Sequence, residues 1–521
     1  MTPLRLALLT LTLSLCACET VPCTPVVTPA VGNVLTCTTQ QLTATLPASC
    51  KPGVSWSASG GGQVDSQGLY TAPTAVPDPS TATITAESTA SPMERGTSLL
   101  TLVTAMPQPA VTIGSTADDT FFQQQVVSSV SGERAYAVLL QHNGSTWRLV
   151  VTRSDDGGAT WSTPVTASDA PSTIEIEAPT IAIDPGDPRT IYVSYLLNAA
   201  TSGTIAASGN NDSGKTVALA VSTNGGDSFI NYVLESQISG FGEWPTVAAP
   251  KAGSVVVEVP AAYQAGLRFF VDDAKGAGFS AITPTGTHLV ADEHVDVTPG
   301  HDGIDFNFIL MNGGSYGSES PRLVTDGANN VCAVYVAGYD STNGDGQTRV
   351  VVQCSRDGGH TFGQAIDVEV DSARSQSHHP IAAFGPQGQL VVTWWTIDPQ
   401  DSTHLVIKLA TSRDGGATFG TPRTLKTWVS SDNSIRSKPQ YPALAWAGEV
   451  LWISYLVGGI RVVDKSCDGG ENWSGAQPID PEGVSLSNQW PGLVRLAGKM
   501  TLVNRIGTAG TTPYQGTRLV P

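Results

Sequence analysis

An all-β chain in two parts is what this sequence predicts. Three observations carry the prediction. Short runs such as "TIYVSYL", "LRFFVDD", "LVVTWWTI" and "VLWISYL" are rich in β-branched and aromatic residues, with turn residues between them. Gly (54) and Pro (34) are abundant while charged residues make up only 14%. From about residue 109 onward two short motifs recur in phase, the mark of a repeat architecture. A length of 521 residues suits one large repeat domain plus an appendage. The formal net charge is −18, and an acidic surface repels nucleic acid and anionic lipid headgroups, so neither is expected as a partner.

The first element is "MTPLRLALLTLTLSLCAC", one Arg followed by a short apolar run, which reads as an export signal. Its end, "LCAC", resembles the lipobox of bacterial lipoproteins. That resemblance implies a signal peptide over 1–17, cleavage after Ala17 and a lipid anchor on Cys18. The alternative is a plain secretion signal with Cys18 left for a disulfide. Either way the protein is expected to be exported, and with the lipid anchor it is expected at the bacterial cell envelope. A lipid bilayer is then a partner through Cys18 only, since no later segment is long and apolar enough to cross.

Export makes disulfides plausible. Cys37 and Cys50 share one small region and are expected to pair. Cys332 and Cys354 sit on two runs that flank "STNGDGQ", so a hairpin about that turn brings them together. Cys23 and Cys467 are unassigned, and no Cys or His spacing reads as a zinc site. No metal and no cofactor are expected.

Residues 18–35 are expected as a tether, Pro/Val/Thr-rich from residue 24. Residues 36–105 follow, with Trp56, "GLY" at 68–70 and the alternating "ATITA". These features resemble bacterial immunoglobulin-like domains. The resemblance implies a small β-sandwich acting as a spacer, with Trp56 packed between its sheets.

The repeat domain spans 109–521. Its first motif appears as "SDDGGATW" at 154–161, "STNGGDSF" at 222–229, "SRDGGHTF" at 355–362, "SRDGGATF" at 412–419 and "SCDGGENW" at 466–473. A degenerate copy, "DDAKGAGF", lies at 272–279. Asp156, Asn224, Asp357, Asp414 and Asp468 are expected to fold back onto backbone N–H groups of their own turns. The Gly pair supplies positive φ. The final Trp or Phe plugs apolar surface. Four acids and one amide in five equivalent turns cannot make one active site, so these are structural residues.

The second motif is a tripeptide ending in Pro: "EAP" 177–179, "EWP" 243–245, "ESP" 319–321, "HHP" 378–380, "QYP" 440–442 and "QWP" 489–491. Each opens an apolar strand, where Pro costs no ladder bond. A run near 124–130, "QQVVSSV", holds the same phase without Pro. Seven units of about four strands each predict a seven-bladed β-propeller, with six blades as the alternative. The last unit holds three strands after Pro491, so its fourth is expected from "AVTIGST", 110–116.

The first motif matches the Asp-box, and with the ring fold it resembles the sialidase-like, or BNR-repeat, superfamily. The resemblance covers about 109–521. It is specific for fold and weak for function. In a blade the boxes face one side of the disc and the tripeptides the other. Glu177, Glu243, Glu319, His378, Gln440 and Gln489 then ring the channel mouth, with Gln124 as a seventh. They are the candidate ligand-binding residues. Glu243 and Glu319 are weak candidates for catalytic carboxyls, since glycosidases need two flanking the bond. Trp244, Tyr441 and Trp490 follow them; alternation along a strand points them away from the ring residues, so they are expected to pack between units, with stacking on sugar rings as the alternative.

Sialidases also use an arginine cluster for a sugar carboxylate, opened by an Arg-Ile-Pro motif in the first blade. That place reads "FFQQQVVSS" and holds no Arg. Arg374 and Arg436, each six residues before a tripeptide Pro, partly compensate as ligand-binding candidates. Arg322 directly follows Pro321. The acid- and His-rich stretch 291–308 reads as a solvated insertion, since its spacing matches no known calcium loop; calcium binding by its oxygen-rich side chains is the alternative. The expected function is a monomeric surface lipoprotein binding an extracellular glycan or protein at the mouth. The alternatives are an exo-acting glycoside hydrolase of sialidase type and a structural envelope component. Whether the chain is an enzyme is left open.

Overall fold

The computed structural model describes residues 22–116, 126–143, 146–169, 175–198, 215–238, 245–260, 267–279, 295–297, 322–337, 349–370, 378–398, 401–427, 439–480, 492–505 and 512–520. Among these residues every regular element is a strand. The chain divides into two units, Met1–Val103 and Thr104–Pro521.

In the first unit a four-stranded sheet runs in the order Val31–Leu35, Arg95–Val103, Thr81–Ser88, Val54–Ser59. A three-stranded sheet holds Thr39–Gln41, Leu69–Thr71 and Gln63–Val64. Strict alternation in Thr81–Ser88 turns Ala82, Ile84 and Ala86 inward, where they meet Leu42, Tyr70, Leu100 and Leu102. Trp56 is partly buried against this core, with Gly68 close under its ring. The segment expected as a tether is built into the unit instead. Val26–Thr28 pairs with Thr43–Thr45, and Val31–Leu35 runs parallel to the long strand Arg95–Val103. Its valines explain this, because Val27 and Val34 are buried in the shared core. The expected Cys37–Cys50 pairing is also corrected: Cys50 bonds Cys23, with 5.7 Å between their Cα atoms. The strand Val26–Thr28 returns alongside Thr43–Thr45 and so carries Cys23 back toward Cys50.

The second unit consists, among the described residues, of six four-stranded sheets in chain order and a five-stranded sheet that joins its two ends. Their innermost strands are Val126–Ser128, Glu175–Ile183, Thr246–Ala248, Arg322–Thr325, His378–Phe384, Pro439–Ala447 and Gly492–Leu496. Each inner strand neighbours the next, and Gly492–Leu496 neighbours Val126–Ser128, so the series is cyclic. This is the arrangement of a β-propeller. The seam is made by residues from both ends of the unit. Thr512–Val520 pairs with Lys499–Arg505 on one side and with Met106–Pro107 and Val111–Thr116 on the other. Gln477 locks it: its Oε1 accepts the N–H groups of Thr104 and Ala105 and its Nε2 donates to the Ala105 carbonyl, all at 3.0 Å.

The box turns repeat one geometry. Asp414 Oδ1 accepts the Ala417 and Thr418 N–H groups at 3.0 and 2.9 Å, and Oδ2 accepts the Thr418 hydroxyl at 2.5 Å. Ser412 donates to the same carboxylate and accepts the Gly416 N–H. Asp156, Asp357 and Asp468 do likewise, and Asn224 substitutes its amide oxygen. These bonds hold the Asp414 carboxyl far below its ordinary value, and burial of Asp357 opposes but does not cancel the same effect, leaving it at about 2. In the degenerate copy Asp272 occupies the Ser position and accepts the N–H groups of Ala274, Gly276 and Gly278 itself. The terminal aromatics plug as expected; Phe362 stacks on Phe269 with 3.9 Å between ring centroids. Arginines join one box to the next, as Arg153 does by donating to the Gly225 carbonyl at 2.7 Å and Arg356 to that of Gly415 at 2.6 Å.

Cys332 and Cys354 lie directly opposite on neighbouring strands and are disulfide-bonded, as expected.

Candidate functional site

In the first six sheets the box follows the third strand, at the end where the first strand turns into the second. The tripeptides therefore open the first strand at the opposite end. Three of them lie in the described residues. All three form a β-bulge: the register slips between Glu177 and Thr180, between His378 and Ile381, and between Gln440 and Ala443. The middle residue of each takes a left-handed backbone, with φ 54° at Ala178, 49° at His379 and 56° at Tyr441. A side chain with a Cβ is disfavoured there by about 1–2 kcal/mol, so the surrounding ladders hold a strained conformation in place.

The bulge redirects the middle side chain, and this overturns the simple alternation expected for Tyr441. Tyr441 belongs to the sixth sheet yet packs against the buried cluster of the second and third sheets, which includes Ala178 and Val247. It thus reaches across the ring rather than only between neighbouring units. His379 lies beside it, with ring centroids 5.3 Å apart, and Trp395 completes the group at 6.0 Å from His379 and 6.5 Å from Tyr441. Trp395 stands opposite His378 in the ladder. His379 and Trp395 are almost wholly buried, while Tyr441 keeps an exposed part.

Below the bulges, hydroxyls stitch one inner strand to the next. Thr180 Oγ1 donates to the Pro245 carbonyl at 3.3 Å and accepts the Val247 N–H at 3.2 Å. Thr246 Oγ1 donates to Glu258 Oε2 at 2.9 Å and accepts the Leu323 N–H at 3.3 Å. The residue after the tripeptide Pro is Thr in the second and third sheets and Arg322 in the fourth. Arg322 and Glu258 are both fully enclosed and attract one another. Burial pushes the Glu258 carboxyl up to about 8, against the opposing pull of the Thr246 hydroxyl and the Arg322 charge. Burial also lowers Arg322 to about 10, with Glu258 opposing.

Of the residues expected at the mouth, Glu177 and Gln440 are half-buried at the first positions of their bulges, and the His378 backbone occupies the equivalent place. Gln124, Glu243, Trp244, Glu319, Arg374, Arg436, Gln489 and Trp490 lie outside the described residues, as do Cys18 and most of 291–308. Sequence reasoning overlooked His379, Trp395 and Glu258. Glu258 was findable, as the one acid in the apolar run "SVVVEVP". Tyr441, the member of this group that keeps an exposed part, can stack on the face of a sugar ring or an apolar side chain, with His379 and Trp395 packed behind it.

No protein-family model matches the chain, and no curated protein matches it. Solved structures do. A Trypanosoma rangeli sialidase shares 13% identity at TM-score 0.41, over 79% of this chain and 59% of that one. An α-L-arabinofuranosidase from Fusarium graminearum shares 12% at TM-score 0.43, over 80% and 98%. A Penicillium chrysogenum α-L-arabinanase complexed with arabinobiose shares 12% at TM-score 0.43, over 80% and 98%. The chain thus spans about three fifths of the trypanosomal enzyme's length.

Proposed function

We propose that this protein is an exported, Cys18-anchored envelope protein whose seven-bladed propeller binds an extracellular glycan or surface protein at the tripeptide-side mouth. The observation that carries the reading is the set of three strained bulges, which gathers His379 and Tyr441 with Trp395 at one end of the ring. Strain of this kind, held by the scaffold, clusters at ligand clamps. The disulfides Cys23–Cys50 and Cys332–Cys354 suit an oxidising compartment. The first unit, read as an immunoglobulin-like spacer, carries the propeller as a monomer.

A glycan array probed with the chain from residue 19 onward tests this. Saturable binding that Tyr441→Ala weakens at least tenfold, with an unchanged circular dichroism spectrum, supports the reading. Array-wide silence, together with failure to retain any envelope protein, leaves the structural alternative.

A second reading is an exo-acting glycoside hydrolase of sialidase type. It is favoured by Glu258, a buried acid beside Arg322 whose carboxyl burial raises well above its ordinary value. Turnover of a fluorogenic glycoside that disappears in a folded Glu258→Gln variant would replace the binding-only reading.

A further inference from the structure

The chain enters the first unit at one end, and three contacts fix that end. Cys23 is bonded to Cys50, with 5.7 Å between their Cα atoms. The Thr24 hydroxyl donates to Glu94 Oε2 at 3.0 Å. The Thr89 N–H donates to the Gly53 carbonyl at 3.1 Å. The turn 89–94, which joins Thr81–Ser88 to Arg95–Val103, therefore lies beside the chain entry, and the Cys50 loop lies with it. The turn is held internally, the Ser91 N–H donating to the Ser88 carbonyl and the Glu94 N–H to that of Ser91.

Ala90, Pro92 and Met93 are the exposed apolar residues of this turn. Met93 is 91% exposed, and Val26, two residues past Thr24, is 65% exposed. Neither belongs to the core of the unit, so folding does not account for them. The charges at this end balance. Lys51 and Arg95 stand against Glu87 and Glu94, with Arg95 Nε 3.3 Å from Glu87 Oε2. The net charge of −18 carried by the whole chain is not concentrated here.

We infer that this end of the first unit rests on the lipid bilayer, with Met93 in the headgroup layer. The inference rests on the Cys18 anchor proposed above and adds a second, non-covalent contact to it. Four residues separate Cys18 from Cys23. Fully extended, the five steps between those two residues span at most about 18 Å. A lipid on Cys18 thus holds Cys23, and the turn fastened beside it, close to the membrane surface. The flexible thioether of Met93 leaves water on entering the headgroup layer, and a balanced end meets no charge barrier there. A partner protein or a second copy has no such covalent tie to this end.

Methyl NMR of isotope-labelled methionine tests the contact. The lipidated chain, one per phosphatidylcholine nanodisc, is compared with the chain from residue 19 onward in solution. The probes are a lipid bearing a nitroxide high on its acyl chain and a water-soluble gadolinium chelate. The nitroxide lipid is expected to broaden Met93, and the chelate to relax Met93 at least threefold less in the anchored chain than in the free one. Met500, 1% exposed, should respond to the chelate equally weakly in both forms. The mass of the N-terminal peptide reports the lipid. A lipidated chain whose Met93 meets the chelate as freely as in solution overturns this inference and leaves the anchor standing. Protection from the chelate without nitroxide broadening means that protein covers Met93, and overturns it too. A chain with no lipid on Cys18 overturns both the anchor and the contact.

Discussion

The rings of Tyr441 and His379 lie 5.3 Å apart, and both residues occupy the left-handed region of the backbone map. Two neighbouring sheets thus spend strain to bring one pair of rings together, and the Tyr ring continues across the channel to the opposite sheets. The backbone argument gives an inverted expectation at residue 441. In an ordinary strand Gly destabilises relative to Ala. At φ 56° Tyr441→Gly should be more stable than Tyr441→Ala by about 1 kcal/mol. Both should fall below the native protein by about 2–4 kcal/mol through lost packing. Urea denaturation of the two variants measures the order.

The box carboxylates set an acid limit. Hydrogen bonds hold Asp156 at about 2, and Asp357 reaches about 2 despite the opposing effect of burial. A carboxyl whose folded value is depressed contributes stability that is present above its unfolded value, near 4, and lost as pH falls toward 2. Melting temperature should therefore drop over that window. An Asp156→Asn variant should lose less there, because Asn224 already shows that an amide fits the turn. Exposure of these turns keeps each contribution small. Asp414→Ala should cost about 1 kcal/mol and leave ligand binding at the mouth unchanged.

Glu258 predicts the opposite slope. Its folded value is raised to about 8, so its favourable contribution is complete below the unfolded value near 4.3 and is lost as pH climbs through 8. Melting curves between pH 5 and 9 should decline for the native protein and flatten for Glu258→Gln. Parallel curves would mean that Glu258 is ionised throughout and paired with Arg322.

The seam offers a test of closure. Gln477→Ala removes three hydrogen bonds to Thr104 and Ala105 and should lower stability by about 2 kcal/mol. Hydrogen exchange should accelerate first in Val111–Thr116 and Thr512–Val520, while the other sheets keep their protection.

Peptide mapping under non-reducing conditions checks the disulfides. A linked pair holding Cys23 and Cys50 is expected, and a Cys37–Cys50 peptide is not. Losing the Cys332–Cys354 bond, which closes a 22-residue separation, should cost about 3 kcal/mol.

Much of the architecture was readable because its parts recur. One Asp-box is ambiguous, but Asp156, Asp357, Asp414 and Asp468 in phase with the prolines mark successive sheets. The strand Val111–Thr116 was legible because the last repeat is one strand short. Local pairing also exposed Cys332 and Cys354. The candidate site was less legible, since a bulge is a backbone event. "QYP" reads as alternation until the register slips, and only then does Tyr441 turn across the ring. Cys23 was hidden by a segment that reads as a linker but hides Val27 and Val34 in a core. The Glu258–Arg322 attraction joins residues of different repeats, where spacing carries no information.

The seam has a consequence for how the molecule comes into being. Met106 has Val520 as its ladder partner, so one strand waits for another that is synthesised far later. Until Thr512–Val520 emerges, Val111–Thr116 and Lys499–Arg505 each present an open strand edge that any other chain could capture. A contact of such sequence separation is also slow to find. Ring closure therefore waits on Thr512–Val520, and substitutions that weaken that strand are expected to lower the yield of folded protein before they touch binding.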